Sequence, residues 1–200
     1  MKTILLSIWM MISLVSHAQK TTTGFDFKNL LNDTVSITAT GETDAYYWIG
    51  TRNGLYCIRK KNKKVSHLTS KNSVLPSDII TCLTVKNNGE VYAGTHEGIM
   101  RYDNFSFLLI NKENSSLLSN NITSLACING DEIFAGTIDS GITMFAYGRS
   151  KNITKSNASL PNNHIVSFEK TGENEMLVVM DSDNKVLIHN HEIKSLKAIK

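Results

Sequence analysis

Trp48-Ile49-Gly50-Thr51-Arg52-Asn53-Gly54-Leu55-Tyr56 is the stretch on which the fold turns, because its first four positions return as Tyr92-Ala93-Gly94-Thr95 and Phe134-Ala135-Gly136-Thr137. Each copy holds an aromatic residue, a small or branched apolar residue, Gly and Thr. The glycines stand 44 and 42 residues apart, and a degenerate fourth copy, Leu177-Val178-Val179-Met180, puts Val179 43 residues beyond Gly136. A second landmark keeps the step: Leu75-Pro76-Ser77-Asp78, Leu118-Ser119-Asn120-Asn121 and Leu160-Pro161-Asn162-Asn163 begin 43 and 42 residues apart. Two independent landmarks sharing one period identify a repeat protein.

Inside each period the apolar residues alternate and turn residues interrupt them, which is the pattern of strands and not of helices. The second repeat predicts strands over 79–85, 90–95, 99–103 and 105–110. The first predicts 35–40, 46–51, 55–59 and 65–69, with Asn53-Gly54 as a tight hairpin whose two central residues both take positive φ. The third gives 122–128, 132–137, 142–146 and a polar strand near Ile153; the fourth gives 165–170, 176–180, 185–189 and 192–196. Four short antiparallel strands per period of about 43 residues form a β-propeller blade. The expected class is therefore all-β, with four blades at 35–70, 79–111, 122–155 and 165–197. They either leave an open arc or close as a small ring. Leucine-rich and helical repeats need a shorter period or 3.6-residue apolar spacing. The Gly of each landmark is expected where neighbouring sheets approach closely.

These residues carry a resemblance. The run from Trp48 to Tyr56, followed by Asn72-Ser73-Val74-Leu75-Pro76-Ser77-Asp78-Ile79, resembles the two-component regulator propeller repeat, which reads W-I-G-T-x-x-G-L and then a variant of N-G-L-P-S-N-x-I. It is strong in the first copy, good in the second and third, and faint in the fourth. The resemblance implies a periplasmic sensor region of the kind found in bacterial hybrid histidine kinases, associated with carbohydrate-derived signals. It does not imply kinase activity for this chain. Family propellers usually have more than four blades, so the chain is expected to be the N-terminal part of a longer propeller, a truncated form. Another propeller or sensor chain is an expected partner.

Residues 1–18 are not expected to belong to the fold. Lys2, an apolar run over 4–15 and Ser16-His17-Ala18 describe a secretory leader, and the run is shorter than the roughly 20 residues that span a bilayer. Cleavage after Ala18 would give a periplasmic or secreted chain with no membrane span. The segment 19–34 holds a spare strand at 24–28.

Composition narrows the functional classes. The chain has 200 residues, 41% hydrophobic and 20% charged, with a formal charge of +3. That charge is too small to argue for nucleic acid. Three cysteines without C-x-x-C spacing argue against a disulfide framework or a zinc ribbon, and they read as buried small hydrophobes. His189 and His191 alternate on one strand but lack a third metal ligand. Asp139-Ser140-Gly141 reads as a turn, not a nucleophile elbow. Six N-x-S/T triplets, starting at Asn32, Asn104, Asn114, Asn121, Asn152 and Asn157, read as products of Asn-rich turns. No cofactor or metal site is expected, and the chain is read as a non-enzyme.

Blade topology points to a binding face. Loops leading into each first strand, and turns joining each second strand to the third, fall on one end of the array. The candidates there are Arg52, Asn53, Asp78, His96, Glu97, Asn121, Asp139 and His164. Their amide, imidazole and charged groups suit a polyhydroxylated ligand, and loops carry function more often than scaffold does. The alternatives are a protein–protein scaffold, or a lyase-type propeller enzyme for which His164 with Glu97 is the acid–base pair to inspect.

Overall fold

The computed structural model describes residues 35–195, except 159, 173 and 183. The expected leader at 1–18 and the spare strand within 19–34 lie outside the described residues. By its internal contacts the chain divides into Met1–Val35 and Ser36–Lys200, and every described strand belongs to the second unit.

Four four-stranded antiparallel sheets fill that unit. The first contains β1 (Ile37–Glu42), β2 (Tyr46–Thr51), β3 (Gly54–Arg59) and β4 (Val65–Leu68). The second contains β5 (Ile80–Val85), β6 (Val91–Thr95), β7 (Gly98–Tyr102) and β8 (Phe107–Ile110). The third contains β9 (Ile122–Ile128), β10 (Glu132–Thr137), β11 (Ile142–Ala146) and β12 (Arg149–Ile153). The fourth contains β13 (Ile165–Gly172), β14 (Glu175–Met180), β15 (Lys185–His189) and β16 (Glu192–Ser195). Each is a meander in sequence order, as a propeller blade requires.

The apolar core is divided among the seams between sheets. Trp48, Leu55 and Cys57 of the first sheet pack with Leu75, Ile80, Val91, Ala93 and Met100. Tyr92 and Ile99 of the second pack with Leu117, Ile122, Leu125, Ile133 and Ala135. Phe134, Ile142 and Ile153 of the third pack with Leu160, Ile165, Met176, Val178 and Val186. A single blade has no interior of its own, so its apolar residues are buried only by a neighbour. Each fully buried side chain of this size contributes about 1.5–3 kcal/mol.

The landmark glycines sit at these seams. A β-carbon on Gly50, Gly94 or Gly136 would stand 2.6, 2.9 or 2.5 Å from Cγ2 of Ile80, Ile122 or Ile165, the first residue of the next sheet. The adjoining threonine closes the turn that follows. Thr51, Thr95 and Thr137 donate their hydroxyls to the carbonyls of Gly54, Gly98 and Gly141 at 2.8–2.9 Å. A third repeated residue crosses the seam. Thr81 and Thr123, at a bulge in β5 and β9, donate to the Ile122 and Ile165 carbonyls at 2.8 and 2.6 Å.

The array is open. β1 packs beside β5, β5 beside β9 and β9 beside β13, and no comparable contact joins β1 to β13 among the described residues. In the fourth sheet Val179 stands at the position where the other three have glycine. Val166 and Met180 replace the two threonines.

Three local expectations change. The first hairpin closes at the Thr51–Gly54 pair, so its central residues are Arg52 and Asn53, and Asn53 has no positive φ. Thr51 Oγ1 accepts the Asn53 N–H at 2.9 Å, and only Gly54, with φ of 102°, is left-handed. The fourth strand of the second sheet starts at Phe107, not 105. Asp103 Oδ1 accepts the N–H groups of Phe105 and Ser106 at 3.1 and 2.7 Å, which holds them in a turn. Leu117, not Leu118, is the buried counterpart of Leu75 and Leu160.

Candidate functional site

Hydrogen bonds assemble the expected face. Gly54 N–H donates to the Asp78 carbonyl at 2.6 Å, and Gly141 N–H to the Asn163 carbonyl at 2.9 Å. Ile138 N–H reaches the Asn121 carbonyl at 3.2 Å, and Asp181 N–H the His164 carbonyl at 3.2 Å. Turns after the second strands and loops before the first strands therefore share one end, and their backbones tie them together.

Some candidates there carry structure. Asp78 Oδ1 accepts the Ser70 N–H at 2.7 Å, and that bond holds the carboxyl below the usual carboxylate range. Asn120 and Asn163 do the same for Lys112 and Lys155, at 2.8 and 2.7 Å. Asp78 is thus one of three equivalent loop clamps. Its counterparts are Asn120 and Asn163, whereas Asn121 and His164 correspond to Ile79. Asn72, Asn114 and Asn157 make a second repeated clamp: each accepts a backbone N–H at 2.8–2.9 Å and donates to a carbonyl at 2.8–3.0 Å. That duty explains the glycosylation-like triplets at Asn114 and Asn157. Only the 42- and 43-residue spacing of these asparagines could have revealed it from sequence.

Other candidates present their side chains outward. Arg52, Asn53, Glu97 and Asp139 are exposed. Each sits on a turn whose backbone is held from below: the Glu97 N–H reaches Thr95 Oγ1 at 3.0 Å, and the Asn53 carbonyl meets His67 Nε2 at 2.6 Å. His67 is itself stacked on Tyr56, with ring centroids 4.1 Å apart. Asp139 Oδ1 accepts the Ser140 hydroxyl at 2.9 Å. His96 Nδ1 lies 2.5 Å from Asn121 Oδ1, which fixes the imidazole on the loop leading into the third sheet. His164 is half-buried and held by its backbone, its N–H on Asn162 Oδ1 at 2.9 Å. No hydrogen bond or ion pair joins it to Glu97 among the described residues.

A cation, two carboxylates, amides and an imidazole stand on fixed turns at this end, groups that can hydrogen-bond hydroxyls. His189 and His191 are at the opposite end, where they meet glutamates: His189 Nδ1 is 3.3 Å from Glu175 Oε2, and His191 Nε2 is 2.6 Å from Glu132 Oε2. Burial pushes the Cys57 and Cys82 thiols up to about 12, against a lowering by Arg59 for Cys57 and by hydrogen bonds for Cys82. Both are held as neutral thiols.

No protein-family model matches the chain, and no curated protein matches it. Solved structures do. The extracellular domain of BT3049 from B. thetaiotaomicron, described as a hybrid two component system, superposes with a TM-score of 0.65 at 18% identity. It covers 77% of this chain and 22% of that one. The extracellular domain of BT4673 from the same organism gives 0.65 at 17% identity, over 83% of this chain and 22% of that one. The computationally designed protein Ika4 gives 0.57 at 13% identity, over 78% of this chain and 92% of that one. At these identities the likeness is one of fold. The chain spans about a fifth of the length of the two extracellular domains.

Proposed function

We propose that this chain is an extracytoplasmic, non-catalytic recognition module of sensor type, which takes a carbohydrate-derived ligand on the end carrying Arg52, Asn53, Glu97 and Asp139. The observation that carries this reading is the division of labour at that end. Clamps such as Asp78, Asn120 and Asn163 satisfy the backbone, so the outward side chains are free for a ligand. Preorganised polar groups bind with less ordering cost than mobile ones. Support for a sensor role comes from the fold shared with extracellular domains described as hybrid two component systems. Among the described residues no helix is long and apolar enough to cross a membrane. In this reading residues 1–18 direct export, and a second sensor or propeller chain relays the bound state.

Calorimetric titration of the chain with a panel of neutral and acidic oligosaccharides tests the reading. At least one member is expected to bind, with binding lost in the Arg52→Ala/Glu97→Ala double variant while the unfolding midpoint stays unchanged. Full affinity in that variant would reject this end as the site.

A further inference from the structure

At the other end, a recess opens between the outer halves of the first two sheets. Tyr46, Trp48, Tyr102, Phe105 and Phe107 bring five aromatic rings to a cavity of about 300 Å³. Trp48 and Tyr102 have centroids 5.1 Å apart, Tyr102 and Phe107 5.0 Å, and Tyr46 meets Tyr102 edge-on at 84°. A volume at the low end for ligand pockets fits a molecule of one or two fused rings.

Three further observations concern this recess. Phe105 is 96% exposed. Its backbone is nevertheless held in place, because its N–H is bonded to Asp103 and the neighbouring Asn104, with φ of 75°, donates its amide to the Asn88 carbonyl at 2.9 Å. Trp48, only 1% exposed, has its indole Nε1 buried without a hydrogen-bond partner, an uncommon and costly state for a donor. The charged residues of the lining are Arg59 and Lys64, both cations, and no carboxylate belongs to it. The nearby Asp103 carboxylate is occupied by the N–H groups of Phe105 and Ser106 and the Ser106 hydroxyl.

From this combination we propose a second binding site, distinct from the loop end, for a small aromatic carboxylate. The flat ring would enter between Tyr102, Phe105 and Phe107. The carboxylate would meet the Arg59 guanidinium, whose planar fork suits two carboxylate oxygens. Arg59 already donates to Tyr46 Oη at 3.2 Å, which positions it at the rim. This lining differs from the loop end in having no amide or carboxylate; its polar groups are the Arg59 and Lys64 cations and the hydroxyls of Ser66, Tyr46 and Tyr102.

The probes are indole-3-acetate and its neutral amide, titrated calorimetrically into the full chain. The acid is expected to bind about tenfold or more tighter than the amide, as a charge-assisted pair requires. Arg59→Ala should erase that preference, and Phe105→Ala should weaken both probes about tenfold. Both residues are exposed, so neither change threatens the fold. Arg52→Ala, at the opposite end, should leave both affinities unchanged. Equal binding of acid and amide, unaltered affinity in Phe105→Ala, or no binding of either probe at millimolar concentration would overturn the proposal.

Discussion

Gly136 and Ile165 meet across the seam between the third and fourth sheets so closely that a β-carbon on the glycine would lie 2.5 Å from Ile165 Cγ2. Ile165 belongs to a different sheet and is itself fully buried, so it cannot swing away. Gly136→Ala is therefore expected to destabilise the chain by about 1–3 kcal/mol, the usual cost of overpacking. Urea unfolding measures it, and an unchanged midpoint would show that the seam is looser than described.

The threonine beside that glycine has a separate duty. Thr137 donates to the Gly141 carbonyl at 2.9 Å and accepts the Ser140 N–H at 3.0 Å, and it is completely buried. Thr137→Val keeps the shape and deletes both bonds, so a loss of about 1–2 kcal/mol is expected. The same substitution at Thr51 or Thr95 should give a similar loss, since each repeats the geometry.

Acid should weaken the second sheet through Glu90. Burial raises the pKa of this carboxyl, but bonds from Arg101 at 3.0 Å, Tyr92 at 2.9 Å and Asn88 at 3.1 Å outweigh it, and the net shift is downward from 4.5. A folded-state pKa below the unfolded one gives stability that is present above the unfolded value and lost as pH falls through the folded value. Glu90→Gln should accordingly be less stable than the parent at neutral pH, with the gap closing as pH drops below 4.5. A gap that stays constant down to strongly acid pH would contradict this.

Thiol chemistry reports on the same seams. Cys57 and Cys82 are unpaired and their thiols are held neutral by burial. Thiolate is the reactive species, so iodoacetamide at mildly alkaline pH should leave both unmodified in the native chain and modify them after unfolding in guanidinium. Mass spectrometry of the native digest decides it, and modified Cys82 would place that seam in fast exchange with an opened state.

Much of this architecture was legible because the repeat exposes it. Gly50, Gly94 and Gly136 announced a close approach, and alternation located most strands to within a residue or two. What escaped depended on side chains bonding to backbone a few residues away. Phe105 looks like strand sequence, yet the Asp103 carboxylate claims its N–H. Leu118 fits the pattern of the second landmark, whereas the clamp formed by Asn120 sets the register and Leu117 is the buried leucine. For the candidate residues, topology puts their turns and loops at one end, where backbone bonds such as Gly54 N–H to the Asp78 carbonyl join them. It could not separate Asp78, which clamps a loop, from Arg52 and Glu97, which face outward, because both duties use polar turn residues.

The most direct test of the recognition reading is amide chemical-shift mapping of the isotope-labelled chain during titration with an oligosaccharide that binds it. The account predicts perturbations concentrated in 52–54, 96–98 and 138–141, with little change at 103–107 or 129–132. Perturbations confined to the latter segments, with 52–54 and 96–98 silent, would contradict it.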